Sequence, residues 1–196
     1  YRLLCCLLIL LASTTLNGQD IVYENKRETF LDSQDRISVE IRSYSEFKSL
    51  QQGYYKIISH FSPEGYKTSY EEYYVPEEVE RTGLIAAKYY LNTRGITTRI
   101  EHQHADTNTY YSGFAKTSIA LSSIGRKSSI ELVYSEQEQQ NTGFEKITIH
   151  YSPDGNKTKE ILHYTEPFIK SEGYWKSESY FDKSGMKSHE KFFMSE

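Results

Sequence analysis

The sequence predicts an all-β protein: an antiparallel meander of about twelve strands from six 30-residue β-hairpin repeats, curled as a single sheet or barrel-like. Three observations carry that prediction. Glycines recur with a period of 30 in two series, Gly53, Gly83, Gly113, Gly143, Gly173 and Gly65, Gly95, Gly125, Gly155, Gly185, which take ten of the eleven glycines. Between them apolar and polar residues alternate, as they do along half-buried strands. The composition, with 18 Tyr and nine Phe, suits pleated sheets.

The stretch Gly143 to Tyr164 shows the unit: a strand, the turn Ser152-Pro153-Asp154-Gly155, and a second strand. Pro153 and Pro63 pre-set φ at the first turn corner, and Gly155 and Gly65 supply the positive φ that the reversal needs. A large apolar residue precedes each turn: Phe61, Leu91, Leu121, Tyr151, Phe181. Lys56, Lys116, Lys146 and Lys176 stand three residues after the first glycine, with Ala86 as the exception. Lys67, Lys127, Lys157 and Lys187 follow the turn glycine by two, with Thr97 as the exception. Full repeats start at 53, 83, 113, 143 and 173. A degenerate repeat at 23–52 puts Asp35 at the turn-glycine position and Lys26 at the Lys position, as an end cap would. The eight-residue connectors between hairpins, such as 75–82 and 135–142, are polar and acidic. No segment after the N-terminal region has a helical period, so no helix is expected.

Alternation predicts the faces. Tyr55, Ile57, Ser59, Phe61 and Glu145, Ile147, Ile149, Tyr151 would share one mostly apolar face, with the Lys series on the other. An apolar face left in water must be hidden, and without helices the sheet would have to curl, close or take a partner. Short, Lys-rich strands argue against a membrane barrel.

Residues 1–18 read as a secretory signal peptide, with Arg2 ahead of an apolar run from Leu3 to Ala12 that is too short for a membrane span. Tyr1 in place of Met fits a chain lacking its natural start. Residues 19–196 then form a single β-hairpin-repeat domain with no transmembrane span. Cys5 and Cys6 fall inside the signal, so the mature chain would have no disulfide framework, and their place ahead of the run argues against a lipid anchor. The chain is expected to be exported: periplasmic, outer-envelope or secreted. Its net charge of −4, or −5 without Arg2, excludes the basic footprint of a nucleic-acid partner.

No catalytic, cofactor-binding or metal site is assigned. His102 and His104, at i and i+2 of a strand, would face one way, but no third ligand recurs at a useful spacing. His60 and His150 share a repeat position with Tyr90, Ala120 and Tyr180, which marks a ladder position rather than a general base. The Lys56, Lys116, Lys146 and Lys176 series, flanked by Tyr54, Phe114, Phe144 and Tyr174, would form a row across the sheet, either a cation–aromatic surface or solvated lysines over rings. The connectors carry six net negative charges and the tight turns four net positive ones, so the two rims of the sheet would differ in sign.

The aromatic–turn–Lys–aromatic pattern of Tyr151 to Tyr164 and of Phe181 to Phe193 resembles the MORN-repeat variant family. The period of 30 and the long connectors depart from that family, and YD-type repeats of bacterial surface proteins are similar too. Both resemblances imply strings of β-hairpins used as scaffolds or binding surfaces, and neither implies catalysis. The expected role is therefore a non-enzymatic protein-interaction or envelope scaffold module, with a protein partner or self-association. The rivals are a carbohydrate-binding module using surface Tyr and Trp175, with a glycan as partner, and an enzyme or small-ligand binder with its site inside a closed barrel.

Overall fold

A computed structural model describes residues 25–105 and 113–195. Residues 1–24, with the expected signal peptide and Cys5 and Cys6, residues 106–112, and Glu196 lie outside the described residues. The twelve strands are β1 (Lys26–Leu31), β2 (Ile37–Ser43), β3 (Tyr54–Phe61), β4 (Lys67–Tyr74), β5 (Leu84–Leu91) and β6 (Thr97–His104). They continue with β7 (Phe114–Leu121), β8 (Lys127–Tyr134), β9 (Phe144–Tyr151), β10 (Lys157–Tyr164), β11 (Tyr174–Phe181) and β12 (Lys187–Met194). They form one antiparallel sheet in chain order, β1 to β12.

The six hairpins have one construction. Gly65 N–H donates to Ser62 O at 2.9 Å and Ser62 N–H to Tyr66 O at 2.8 Å, a type I turn closed by a left-handed residue. That residue is glycine in five hairpins, and in the degenerate repeat it is Asp35 at φ 58°. In five of the six the first turn residue adds a side-chain acceptor. Asp32, Asn92 and Asp182 each take two backbone N–H groups on one Oδ1, and Ser122 and Ser152 take one on Oγ. Beyond each turn a β-bulge falls on a Ser or Thr whose hydroxyl donates to the carbonyl eight residues back: Ser38, Thr68, Thr98, Ser128, Thr158 and Ser188.

Two expectations are corrected. First, the described connectors are not loops. Four of them hold seven-residue helices: α1 (Glu46–Gln52), α2 (Pro76–Thr82), α3 (Glu136–Thr142) and α4 (Glu166–Glu172). Two turns are too short to show a period. Their signatures are local: Pro76 and Pro167 in the first turn, Ser135 Oγ accepting Glu138 N–H, and a left-handed glycine closing every one. Four glycines of the first series are thus helix C-caps. Gly53, Gly83, Gly143 and Gly173 each donate N–H to the residue four back. Each such carbonyl, with that of Gly113, also accepts the N–H of the residue 22 further on, as in Val75 to Gly53 at 3.0 Å and Thr165 to Gly143 at 2.9 Å.

Second, the sheet is neither closed nor strongly curled. Strands β1 and β12 are its edges, so there is no barrel interior to hold a site. The expectation failed because it required a separate layer to hide the apolar face. Here long side chains lie down on the sheet and half-bury each other: Lys67 Nζ reaches over Tyr70, Lys157 Nζ sits 4.2 Å from the Phe181 ring centre, and Tyr70 stacks on Tyr89 at 4.6 Å. Among the described residues only Val75, Ala87 and Tyr164 are buried apolar side chains.

Gly143 and Gly155 should respond differently to substitution. A Cβ on Gly155 meets nothing within 4 Å, so Gly155→Ala carries only the left-handed backbone cost, about 1 kcal/mol. A Cβ on Gly143 falls 2.5 Å from Phe168 Cδ2, so Gly143→Ala adds a clash with α4. Thermal melting of both variants should show the larger drop for Gly143→Ala. Equal drops would remove the helix–cap packing described here.

Candidate functional site

Strand pairing sorts the side chains into two unlike faces. One transverse row runs Tyr70–Tyr89–Ile100–Ile119–Ile130–Ile149 through successive partners. Beside it runs Ala87–His102–Thr117–Leu132–Ile147–Leu162. Toward the helices the same face carries an aromatic ladder. Phe114–Tyr134, Tyr134–Phe144, Phe144–Tyr164 and Tyr164–Tyr174 are in contact at 4.7, 6.1, 5.5 and 5.0 Å. Phe168 of α4 stacks on Tyr164 at 4.7 Å, and Tyr174 meets Phe192 at 5.0 Å.

The opposite face holds the predicted lysine row: Lys56, Lys116, Lys146 and Lys176 lie on one transverse line. Their predicted neighbours are corrected. A bulge after Tyr54, Phe114 and Tyr174 turns those rings to the apolar face and puts Tyr55 and Trp175 on the lysine face. For the same reason Tyr55 does not share a face with Ile57. The rings under the lysines are cross-strand ones: Tyr73 lies 4.0 Å from Lys56 Nζ and Phe193 3.8 Å from Lys176 Nζ. A second row supplies counter-charges, in Glu71–Lys88 at 2.8 Å, Glu131–Lys146 at 3.2 Å and Glu178–Lys159 at 2.9 Å.

Where Ala86 interrupts the lysine row, the polar face sinks into an open depression of about 420 Å³. Tyr73, Gln103 and Lys116 border it along the row, with Glu71, Lys88 and Glu101 behind. Burial would raise the Glu71 carboxyl, but hydrogen bonds from Lys88 and Tyr73 outweigh it and hold the group below its ordinary value. This depression was missed in the sequence, although its signal, the single gap in the Lys series, was visible.

His102 and His104 share the apolar face, as their spacing requires, with ring centres 6.3 Å apart. His104 Nε2 is 2.9 Å from Thr117 Oγ1, and burial lowers both imidazoles, His104 further by the nearness of His102. Glu72 lies across Ala87 from His102, and burial raises its carboxyl while the Tyr74 hydroxyl donates to it at 3.3 Å. Among the described residues no group of three or more His, Cys, Asp or Glu could hold a metal ion. His60 and His150 lie on the polar face. His60 Nε2 stands 3.6 Å from Glu71, and the His150 backbone receives the Thr158 hydroxyl.

The geometry defines a class: an open, single-layer β-hairpin-repeat meander with one apolar and one charged face. No protein-family model matches the chain, and no curated protein matches it. No helix among the described residues is long and apolar enough to cross a membrane.

Two pH dependences follow. Glu178 is 7 % exposed and accepts from Tyr180 and Lys159, then Lys176, which pull its carboxyl from 4.5 to about 2. A lowered folded pKa means stability that is present above the unfolded value and lost as pH falls toward 2. Denaturant midpoints across that window should therefore drop in the parent and flatten in Glu178→Gln, from a lower plateau. His102 and His104 are also lowered, so they withdraw stability as pH falls below their ordinary 6.5. His102→Gln/His104→Gln should remove that loss. An unchanged slope near pH 6 would contradict their burial.

Proposed function

We propose that this chain is an exported, non-enzymatic β-repeat protein, a protein-interaction or envelope scaffold module that engages a protein partner through its apolar face. The observation that supports this is the breadth of that face. Rows of Ile, Leu and aromatic side chains run across a single layer with no second layer over them, and most of these side chains stay partly open to solvent. A wide apolar surface edged with Tyr hydroxyls suits a protein partner better than a small ligand. The likeness to MORN-repeat variants favours the scaffold role, and the apolar run Leu3 to Ala12 favours export.

A second reading has its own observation. Trp175 is 40 % exposed on the polar face, with Phe193 at 6.2 Å and His163 at 6.0 Å. An exposed indole among polar groups is the kind of platform on which a sugar ring stacks.

The test is affinity capture from envelope and secreted fractions, with the parent chain and with Ile119→Thr/Ile130→Thr/Ile149→Thr. The triple variant keeps β-branching while removing apolar surface. Folding is checked by circular dichroism. The parent should retain one near-stoichiometric protein, and the variant at least about tenfold less. Capture unaffected by the triple variant, or no capture, would overturn the face-on reading. Glycan binding abolished by Trp175→Ala would favour the second.

A further inference from the structure

We infer that copies of this chain join head to tail, the β12 edge of one taking the β1 edge of the next as its thirteenth strand. This goes beyond the face-on reading above, since it uses the two edges of the sheet rather than its apolar face. Every junction between hairpins pairs a second strand with the first strand that follows, and five such junctions share one register. Strand β12 is a second strand and β1 a first strand. Shifting the β10·β11 register, in which Ile161 faces Glu178 and His163 faces Lys176, by one repeat sets Lys191 opposite Glu28 of the next copy. The same shift sets Phe193 opposite Lys26 and Phe192 opposite Arg27.

The first of these pairs matches a junction between hairpins, and the second matches a pair found within one hairpin. Lys191 with Glu28 is the Glu71–Lys88 salt bridge with its charges exchanged. Lys26 over Phe193 is a cross-strand cation on a ring, as Lys56 is over Tyr73 at 4.0 Å. No cation meets a cation along the seam. An edge protected against self-pairing would place like charges there, since like charges directly opposite destabilise a ladder.

Exposure supports the same conclusion. Phe192 is 52 % exposed and Leu31 54 %, whereas their repeat equivalents Leu162 and Phe61 inside the sheet are half-buried. Docking covers both, with Lys187 placed over Leu31 as Lys157 is over Phe181. The contact joins unlike surfaces by a translation-like step, so it does not close on itself and yields open chains rather than a dimer.

The experiment is sedimentation equilibrium and small-angle scattering of the full chain over a wide concentration range. Four proteins are compared: the parent, Lys191→Glu, Glu28→Lys and the double exchange. Both sites are on the edges, and circular dichroism checks that each variant folds. The expected result is a mean mass that keeps rising with concentration in the parent, roughly tenfold weaker association in each single variant, and recovery in the double exchange. A chain that stays monomeric, one that stops at a dimer, or one whose association ignores the charge exchange would overturn the proposal. The last outcome is also what clustering through the apolar N-terminal run would give. Capture of a partner lost in the apolar-face variant would leave the face-on reading standing even then, so the two failures are distinguishable.

Discussion

The fold depends on the left-handed glycine at the end of each connector. Gly53 at φ 84° and Gly143 at φ 75° end a two-turn helix by donating N–H back to it, while the carbonyl of each accepts from the residue 22 positions on. One residue thus closes a helix, starts a strand and ties one repeat to the next. The tie is reinforced by packing: the side chain at the third helical position, Glu78, Glu138 or Phe168, lies against the glycine that ends the preceding connector. At Gly113 and Gly143 a Cβ would fall 2.6 and 2.5 Å from that side chain, so these two positions demand glycine twice, for the backbone angle and for the space above it. Stability in such a stack is a sum of neighbour contacts rather than the property of one core.

That explains how a single layer persists with three buried apolar side chains among the described residues. A layer open on both sides cannot remove whole side chains from water, so it gains from contact along the surface. On one face rings lie on rings and Lys stems lie on rings. On the other, carboxylates are flanked by cations, as Glu178 is by Lys159 and Lys176, and at the β1 end of the apolar face Glu40 is held the same way by Arg27 and Arg42. The buried residues at the middle of strands are accordingly small or paired: Ser59, Ser69, Ser177, Ser179, Glu40, Glu178. Long neighbours bridge over the short ones, which is how a serine can be covered without a second layer.

Strand number, order and turn chemistry were legible because each repeat writes them again; even Asp35 at the worn turn takes the left-handed conformation that its alignment with the glycines requires. The helices were not legible, since seven residues hold too few apolar positions to set a period. The faces were half legible. Alternation places Ile57, Ile147 and Ile149 rightly, then fails at Tyr55 because a bulge inverts the pattern at the start of each first strand, and a bulge leaves no mark in hydropathy. Closure was misjudged for an energetic reason. The sequence shows that a face is apolar, but not that its own side chains can lie flat enough to shield it.

Repetition also separates scaffold from individuality. Positions that recur through the repeats, the two glycine series, the bulge hydroxyls and the pre-turn apolar residues, are accounted for by turns, caps and coverage. Residues that break the pattern need another account, and they gather in one repeat. The hairpin from Gly83 has Ala86 and Thr97 where lysines stand elsewhere, and it carries both His102 and His104. The result is a depression on the charged face, and on the apolar face two lowered imidazoles near a raised carboxyl at Glu72. In a protein whose other repeats are nearly interchangeable, a partner that binds at one place rather than five must read such a difference. The third hairpin is where the two faces offer one.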